Sequence, residues 1–318
     1  MQENNMNYPK FKVCVRCFTF NQAKYITDAL NGFTMQQTDF PFVCCIVDDA
    51  STDGEQQVIM EYVQEHFDMS DASVSYRKET DYADITYAQH KANKNCYFAV
   101  LLLKENHYSQ RKDKMPYLSE WRDNTEYEAL CEGDDYWIDA KKLQMQVDFL
   151  EENKEYGLVR TDCDKYVEKE GIIITSVFSK APYNRVQDTF LDYLIYGWWA
   201  SPCTWVYRMV YREVISKNLL KAGCNHEKYF LGDIFLLLSI AQVSRIKKMQ
   251  QVTSVYRELE ISASHFKDKN SWRVFTRKVR NTRLFFARQN VFVFFVVILQ
   301  WCRIDMIKVF CVLKKRLS

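Results

Sequence analysis

Glycine is scarce in this chain, with 8 residues in 318. That excludes collagen-like and low-complexity architectures and leaves no room for long flexible linkers. No internal repeat is present, which sets aside solenoids and propellers. The opening "MQENNMNYPK" lacks an apolar core, so a signal peptide is not expected. No apolar run reaches the roughly 20 residues a membrane-spanning helix needs. Cys14 and Cys17 form a C-x-x-C without a second ligand pair at zinc spacing, so they read as strand residues rather than a metal or redox site.

What is present is an ordinary globular composition, 47% hydrophobic and 26% charged, with a high aromatic share of 15%. The length suits one large domain or two small ones. The 11 cysteines are odd in number, and several, such as Cys44 and Cys45 in "FVCCIV", sit inside apolar runs. They suit the reduced, buried thiols of a cytosolic protein better than a disulfide framework. Charge is unevenly spread. Residues 269–318 hold 12 Lys or Arg against one acid, a charge of +11, which leaves −9 of the net +2 for residues 1–268.

In the first half, strand-like and helix-like patterns alternate. "FKVCVRCF" (11–18) reads as a strand ending in the polar "TFNQ", and "AKYITDALNGF" (23–33) places Ile26, Leu30 and Phe33 on one helical face. "FVCCIV" (42–47) is the continuous apolar run of a strand buried on both faces, followed by "DDASTDG" and a helix near 55–66. "SVSYR" (73–77) reads as a third strand. This order implies right-handed parallel βαβ units in an open α/β sheet, whose ligand crevice lies beyond the carboxyl ends of the strands. "TFN", "DDASTDG" and the "EGDD" that follows "YEALC" (127–131) are three such exit loops, expected to converge on one edge. Further on, a helix is expected at 141–152, strands at 157–167 and 172–178, helices in "QDTFLDYLIYG" and near 210–220, and a buried helix in "IFLLLSIAQV" (234–243).

"EGDD" places Glu132, Asp134 and Asp135 within four positions. Asp139, just before "AKKLQMQV", is the expected helix cap, which leaves the other three acids without a capping role. Carboxylates crowded at a strand exit repel one another unless a cation joins them, and hard divalent ions prefer such oxygen ligands. Asp48, Asp49 and Asp53 in "VDDASTDG" are either turn residues or acceptors for a base N–H or a ribose hydroxyl.

In order, "FTFNQAKYITDAL", "VDDASTDG", "ALCEGDDYW" and "KLQMQVDFLEEN" resemble the bacterial family 2 glycosyltransferases of the GT-A fold. That fold is α/β and Rossmann-like, an open, mainly parallel sheet flanked by helices. The resemblance covers residues 10–265 and is nearest a subgroup marked by "EGDDYW", which usually has proline where Ala140 stands. It implies that Thr19 and Asn21, with Asp48 and Asp49, hold the nucleoside, usually uridine, of a nucleotide-sugar donor. "EGDD" corresponds to the D-x-D motif, with Asp134 on the metal, Mn2+ or Mg2+, and Glu132 and Asp135 beside the donor. Glu132 stands where the family more commonly has aspartate. Arg111, Lys112 and Lys114 either face the diphosphate or form an exposed basic loop, and the Arg-Asn pair usual ahead of the metal motif is not evident. Asp233 in "KYFLGDIFLLLSIAQ" matches the general base, a role compatible with capping its helix. Trp198, Trp199 and Thr204 fall in the acceptor-facing region, where the tryptophans either stack on a sugar or pack in a core. His265, beyond the "YR" of "SVYRELEISASHF", falls where a family histidine contacts metal or diphosphate.

The expected organisation is a catalytic domain over 1–268 and a basic helical extension over 269–318. The extension's "VFVFFVVIL" (291–299) either lies on an anionic membrane surface or packs on the catalytic domain or another subunit; nucleic acid is not an expected partner. The implied activity is metal-dependent, inverting sugar transfer from a nucleotide sugar to a saccharide or lipid-linked saccharide acceptor in cell-surface polysaccharide synthesis. The implied location is cytoplasmic, on the inner face of the cell membrane. The alternatives are an inactive nucleotide- or carbohydrate-binding scaffold and a nucleotidyltransferase. The second would carry a glycine-rich basic loop after the first strand, and "TFNQAKY" is not one.

Overall fold

The computed structural model describes residues 8–180, 184, 187–196, 201–260, 268–288 and 290–299. β1 (Val13–Thr19) and β2 (Phe42–Asp48) run parallel, Val13 opposite Phe42 and Thr19 opposite Asp48. The connecting α1 (Ile26–Thr34) buries Ile26, Leu30 and Phe33, the stripe its 3.6-residue period sets. α1 lies so close to β7 (Tyr136–Trp137) that a Cβ on Gly32 would stand 2.8 Å from the Trp137 backbone nitrogen. α2 (Glu55–His66) follows β2.

The third strand of the parallel core is not the one the sequence suggested. β2 pairs in parallel with β5 (Cys96–Leu103), buried over nearly its whole length. The segment read at 73–77 contributes only to β3 (Tyr76–Glu79), an edge strand antiparallel to β4 (Ala83–Gln89), itself antiparallel to β5. Arg77, Lys78 and Glu79 of β3 are exposed, the charged character that discourages an edge from pairing further.

On its other side β1 pairs in parallel with β6 (Tyr127–Leu130), so the core order is β5-β2-β1-β6. Beyond β6 the sheet continues through β10 (Trp205–Arg208), β8 (Tyr156–Val167), β11 (Arg245–Glu258) and β7, while β9 (Ile172–Ile174) pairs off β8. The pairings on this flank whose registers are resolved are antiparallel. Alternate residues of β1 feed apolar clusters on opposite faces, Val13, Val15 and Cys17 on one and Cys14 on the other. Nine cysteines among the described residues are free, and Cys224 is the exposed one.

α4 (Lys142–Glu152) begins later than a cap at Asp139 would place it. The Asp139 carboxylate accepts from Lys141 N at 2.8 Å, while the Leu143 N–H is satisfied from another element, by Gln36 Oε1 at 3.1 Å. α3 (Ser119–Arg122) precedes β6.

Two compact units result, one drawn from Met1–Ser179, Ala200–Val210 and Lys247–Glu258, the other from Lys180–Trp199, Tyr211–Ile246 and Leu259–Ser318. The expected boundary at 268 therefore lies inside the second unit. There α5 (Phe190–Tyr196), α6 (Arg212–Lys221), α7 (Asp233–Ala241) and α8 (Lys269–Ala287) pack together. Arg283 Nε of α8 donates to Leu194 O at 2.6 Å, and Phe235 of α7 meets Phe286 edge-on at 5.0 Å. Among the described residues no helix is long and apolar enough to cross a membrane.

Candidate active site

Three adjacent parallel strands, β2, β1 and β6, end on the same edge and bring the three exit loops together. Asp49 N donates to Thr19 O at 3.0 Å, and Gly133 N to Phe18 O at 3.3 Å. Gly133 is the point of closest approach. A Cβ there would stand 2.2 Å from Thr19 Oγ1 and 2.5 Å from Gln22 Oε1, so only glycine lets the acid loop close on the first loop.

A residue the sequence reading missed organises this edge. Glu55, fully buried at the start of α2, accepts from the Thr19 hydroxyl, from Gln22 N at 2.8 Å and from Ser51 Oγ at 2.9 Å. Burial raises its pKa against the pull of these donors. Asn21, held at a positive φ of 54°, accepts from Thr52 N at 2.8 Å and donates its own N–H to Ser51 Oγ at 2.8 Å. Asp53 accepts from Ala23 N at 2.9 Å. The side chains of Thr19 and Asn21 are thus tied to the second loop.

The two adjacent aspartates divide. Asp49 is saturated, taking His107 N at 2.8 Å on one oxygen and Tyr108 N and Lys114 Nζ, each at 3.0 Å, on the other. It anchors the 105–114 loop. Asp48 Oδ1 accepts from Ser51 N and Gln56 Nε2, but its buried Oδ2 has no hydrogen-bond partner in the protein. Of the three bases, Lys114 is built into this frame, over the Phe18 ring at 4.7 Å. Lys112 reaches Glu105 at 3.2 Å, and Arg111 sits in an exposed turn at φ 57°.

Of the "EGDD" acids, the resemblance puts Asp134 alone on the metal. Among the described residues no group of three His, Cys, Asp or Glu is arranged to hold a metal ion. Asp135 turns inward, because the Arg257 N–H needs an acceptor, and supplies it at 2.8 Å. Burial, with the charge of Asp134 beside it, pushes the Asp135 carboxyl well up. Glu132 is half-buried. Asp134 is half-buried too, and burial raises its pKa although its own backbone, Arg257 and Gln22 lower it. A desolvated carboxylate of this kind fits a Mg2+ or Mn2+ ion that takes one or two protein carboxylates and completes its shell with water and phosphate.

Arg257, the arginine of the "YR" pair, braces this loop. Its Nη1 donates to Asp134 O at 2.9 Å, its Nη2 pairs with Asp28 at 2.7 Å, and its guanidinium lies 4.6 Å from the Tyr25 ring and 4.9 Å from that of Tyr136. An ammonium cannot reproduce this planar, doubly stacked fork. Arg257→Lys is therefore expected to lower stability by about 1–3 kcal/mol, measured by urea unfolding.

Asp233 belongs to the second unit. It is the first residue of α7, with Gly232 in the cap position, and it accepts from Ile234 N at 2.8 Å. An acid in a first turn also complements the helix dipole. Thr204 is fully buried, its hydroxyl donating to Ser201 O at 2.7 Å, so it is not placed to meet an acceptor. Trp198, Trp199 and His265 lie outside the described residues.

No family model matches the chain. It is 33% identical over 137 residues to the uncharacterized proteins Rv1520 of Mycobacterium tuberculosis (strain H37Rv) and Mb1547 of Mycobacterium bovis, across 43% of its own length and 31% of theirs. The chain thus spans about a third of the length of these relatives. Among solved structures it is similar to S. aureus TarS, with a TM-score of 0.49 and 20% identity over 79% of this chain and 37% of that one. It is also similar to the mannosyltransferase PcManGT of Pyrobaculum calidifontis, in complex with GDP-Man and Mn2+, with a TM-score of 0.47 and 16% identity over 90% of this chain and 65% of that one. Likeness at this level decides nothing about activity.

Proposed function

We propose that the chain is a glycosyltransferase of family 2 and the GT-A fold, nearest the "EGDDYW" subgroup. It would move a sugar from a nucleotide sugar, a UDP-sugar in the first instance, to a hydroxyl of a saccharide or lipid-linked acceptor in cell-surface polysaccharide synthesis. One observation carries this reading. The three loops that bear the ordered motifs meet at the carboxyl edge of a parallel core, with Gly133 against Thr19 and a desolvated Asp134 beside them.

In this reading Thr19, Asn21 and Asp48 frame the nucleoside, and the buried Asp48 Oδ2 is an acceptor waiting for a donor such as a base N–H. Asp49 and Lys114 hold the wall, Glu132 and Asp135 shape the acid loop, and Asp134 would hold Mn2+ or Mg2+, with His265 as a further candidate. The metal would neutralise the departing diphosphate. Asp233 is the candidate base. It would take the proton of the acceptor hydroxyl as that oxygen bonds the anomeric carbon, while the bond from that carbon to the diphosphate breaks and the nucleoside diphosphate leaves. A single displacement of this kind inverts the anomeric centre. We place the reaction on the cytoplasmic side, at the inner face of the membrane.

Thermal unfolding with UDP, GDP or CDP, each with and without Mn2+, tests the reading. One diphosphate should raise the midpoint only when Mn2+ is present, and Asp134→Ala should remove that rise, because a ligand that binds only the native state stabilises it. Folded protein that responds to no nucleotide would sink the proposal and leave a scaffold of the same fold.

A further inference from the structure

Two surfaces of the second unit carry none of the residues given a role in the proposed transfer. α8 has no acid along its length. At 3.6 residues per turn, Lys269, Arg273, Arg277, Arg280 and the following Arg288 fall within about a third of the helix circumference. Lys269, Arg273, Arg277 and Arg288 are exposed, and so is Trp272 of the same helix.

Residues 291–299 are helical. One face of these two and a half turns is already used, with Val293 and Val297 buried. The opposite face holds Val291, Phe292, Phe295 and Leu299, exposed by 70%, 77%, 57% and 65%, again within about a third of the circumference. Exposed apolar residues scattered singly are ordinary, but four large ones aligned on a single face call for a partner. The helix rises only about 13 Å, under half of a hydrocarbon core of about 30 Å, so it can lie in a membrane interface but not cross it.

We propose that this part of the chain docks on an anionic phospholipid leaflet, with the stripe of Val291, Phe292, Phe295 and Leu299 entering the acyl boundary and the basic stripe of α8 facing the headgroups. Charge selects this occupant. Residues 269–318 carry +11, so a second copy seated through the same region would bring two strongly basic surfaces together. An anionic leaflet is complementary to it. A nucleic-acid backbone would satisfy the bases but leave the apolar stripe in water. An apolar face joined to a basic one is the two-part signal that stable interfacial binding requires. The proposal does not depend on glycosyl transfer and stands or falls separately from it.

The test is flotation of the full chain with phosphatidylcholine vesicles, with and without phosphatidylglycerol. The expected result is binding to the anionic vesicles, weaker by about ten-fold or more on phosphatidylcholine alone and reversed by high salt. Phe292→Ser/Phe295→Ser and Arg273→Gln/Arg277→Gln should each remove about ten-fold or more of it, with the unfolding midpoint unchanged because the replaced side chains are exposed. Equal binding to both vesicles, no binding, or binding that survives both double substitutions would overturn the proposal. So would a wild-type dimer that the phenylalanine variant converts to monomer without any vesicle binding, which would assign the face to a second copy. Should a variant unfold early, Phe295→Trp supplies another readout: its added fluorescence should be quenched by brominated acyl chains in anionic vesicles, and unquenched fluorescence counts against docking.

Discussion

Gly133→Ala is expected to abolish nucleotide-dependent stabilisation and to lower the stability of the protein itself by about 1–3 kcal/mol. The added methyl would stand 2.2 Å from Thr19 Oγ1, 2.5 Å from Gln22 Oε1 and 2.7 Å from Thr19 Cβ, each well inside contact distance. Thr19 cannot step aside cheaply, since its Cβ is fixed by the backbone of β1. The Thr19 hydroxyl is engaged by Glu55 and lies 2.8 Å from Gln22, and Glu55 is fixed by two further donors. The acid loop must therefore lift away from the first loop, which separates Asp134 from the proposed nucleoside frame. Thermal unfolding with and without a nucleoside diphosphate and Mn2+ reads both effects. The double variant Gly133→Ala/Thr19→Ala should recover only part of the stability, since the contacts with Gln22 and the Cβ at 19 remain. A Gly133→Ala protein as stable and as responsive to nucleotide as the parent would mean that the closeness of these loops has no bearing on binding.

The loops close on a frame that is itself locked from behind. Glu128 of β6, fully buried, takes Arg16 Nε of β1 and Arg122 Nε of α3, each at 2.7 Å. Burial alone would raise its pKa, but the two guanidiniums outweigh burial and hold it below the usual carboxylate range. Both arginines thus converge on a carboxylate three residues before Cys131, where the strand gives way to the acid loop. Arg257 braces that loop from the other end. Glu128 and Arg257 thus brace the loop that carries Asp134 from both ends, the support that the proposed metal carboxylate would need.

The exit loops were legible in the sequence because each joins an apolar run to a cluster of turn formers, a pattern with few structural meanings. α1, α2, α4 and α7 were likewise placed to within a few residues. β5 escaped. Buried on both faces, it has no period, and "CYFAVLLL" contains a single β-branched residue, so nothing in it separates a strand from a buried helix. In the site, residue types were legible and orientations were not. Asp134 and Asp135 are neighbours, and which turns inward was decided by a backbone N–H 122 positions away. Asp48 and Asp49 divide in the same way, by the demands of a loop more than 50 residues downstream. Glu55 passed unnoticed because an acid in the first turn of a helix is commonplace. Its role appears only when the Thr19 hydroxyl, 36 residues earlier, is found beside it.

Lys142→Met is expected to make the protein more stable at pH 6 and less stable at pH 10, with the two stability curves crossing between. Lys142 is the first residue of α4 and is completely buried, its Nζ donating to Gln146 Oε1 at 2.6 Å and lying 4.5 Å from the Trp137 ring. Cys131, Cys203 and Asp139 are the titratable groups that favour its charge, but burial outweighs them and brings its pKa from 10.5 down to about 7. The helix dipole also disfavours a cation at this end. Because the folded pKa lies below the unfolded one, the unfolded chain binds the extra proton between about pH 7 and pH 10.5. Stability should therefore rise with pH across that window and be flat below it with respect to this group. The lowered pKa corresponds to a penalty on the order of 5 kcal/mol below the window, whereas leaving Gln146 Oε1 without its donor costs about 1–3 kcal/mol at any pH. At low pH the methionine therefore gains more than it loses, and at high pH only the loss remains. Gln146 keeps its bonds to Val159 O and Thr204 O, so the joint of α4 with β8 and the chain before β10 should survive the change. Chemical unfolding of both proteins at a series of pH values decides the matter, since every other titration is common to the two. Parallel curves would show that Lys142 keeps its charge in the folded protein.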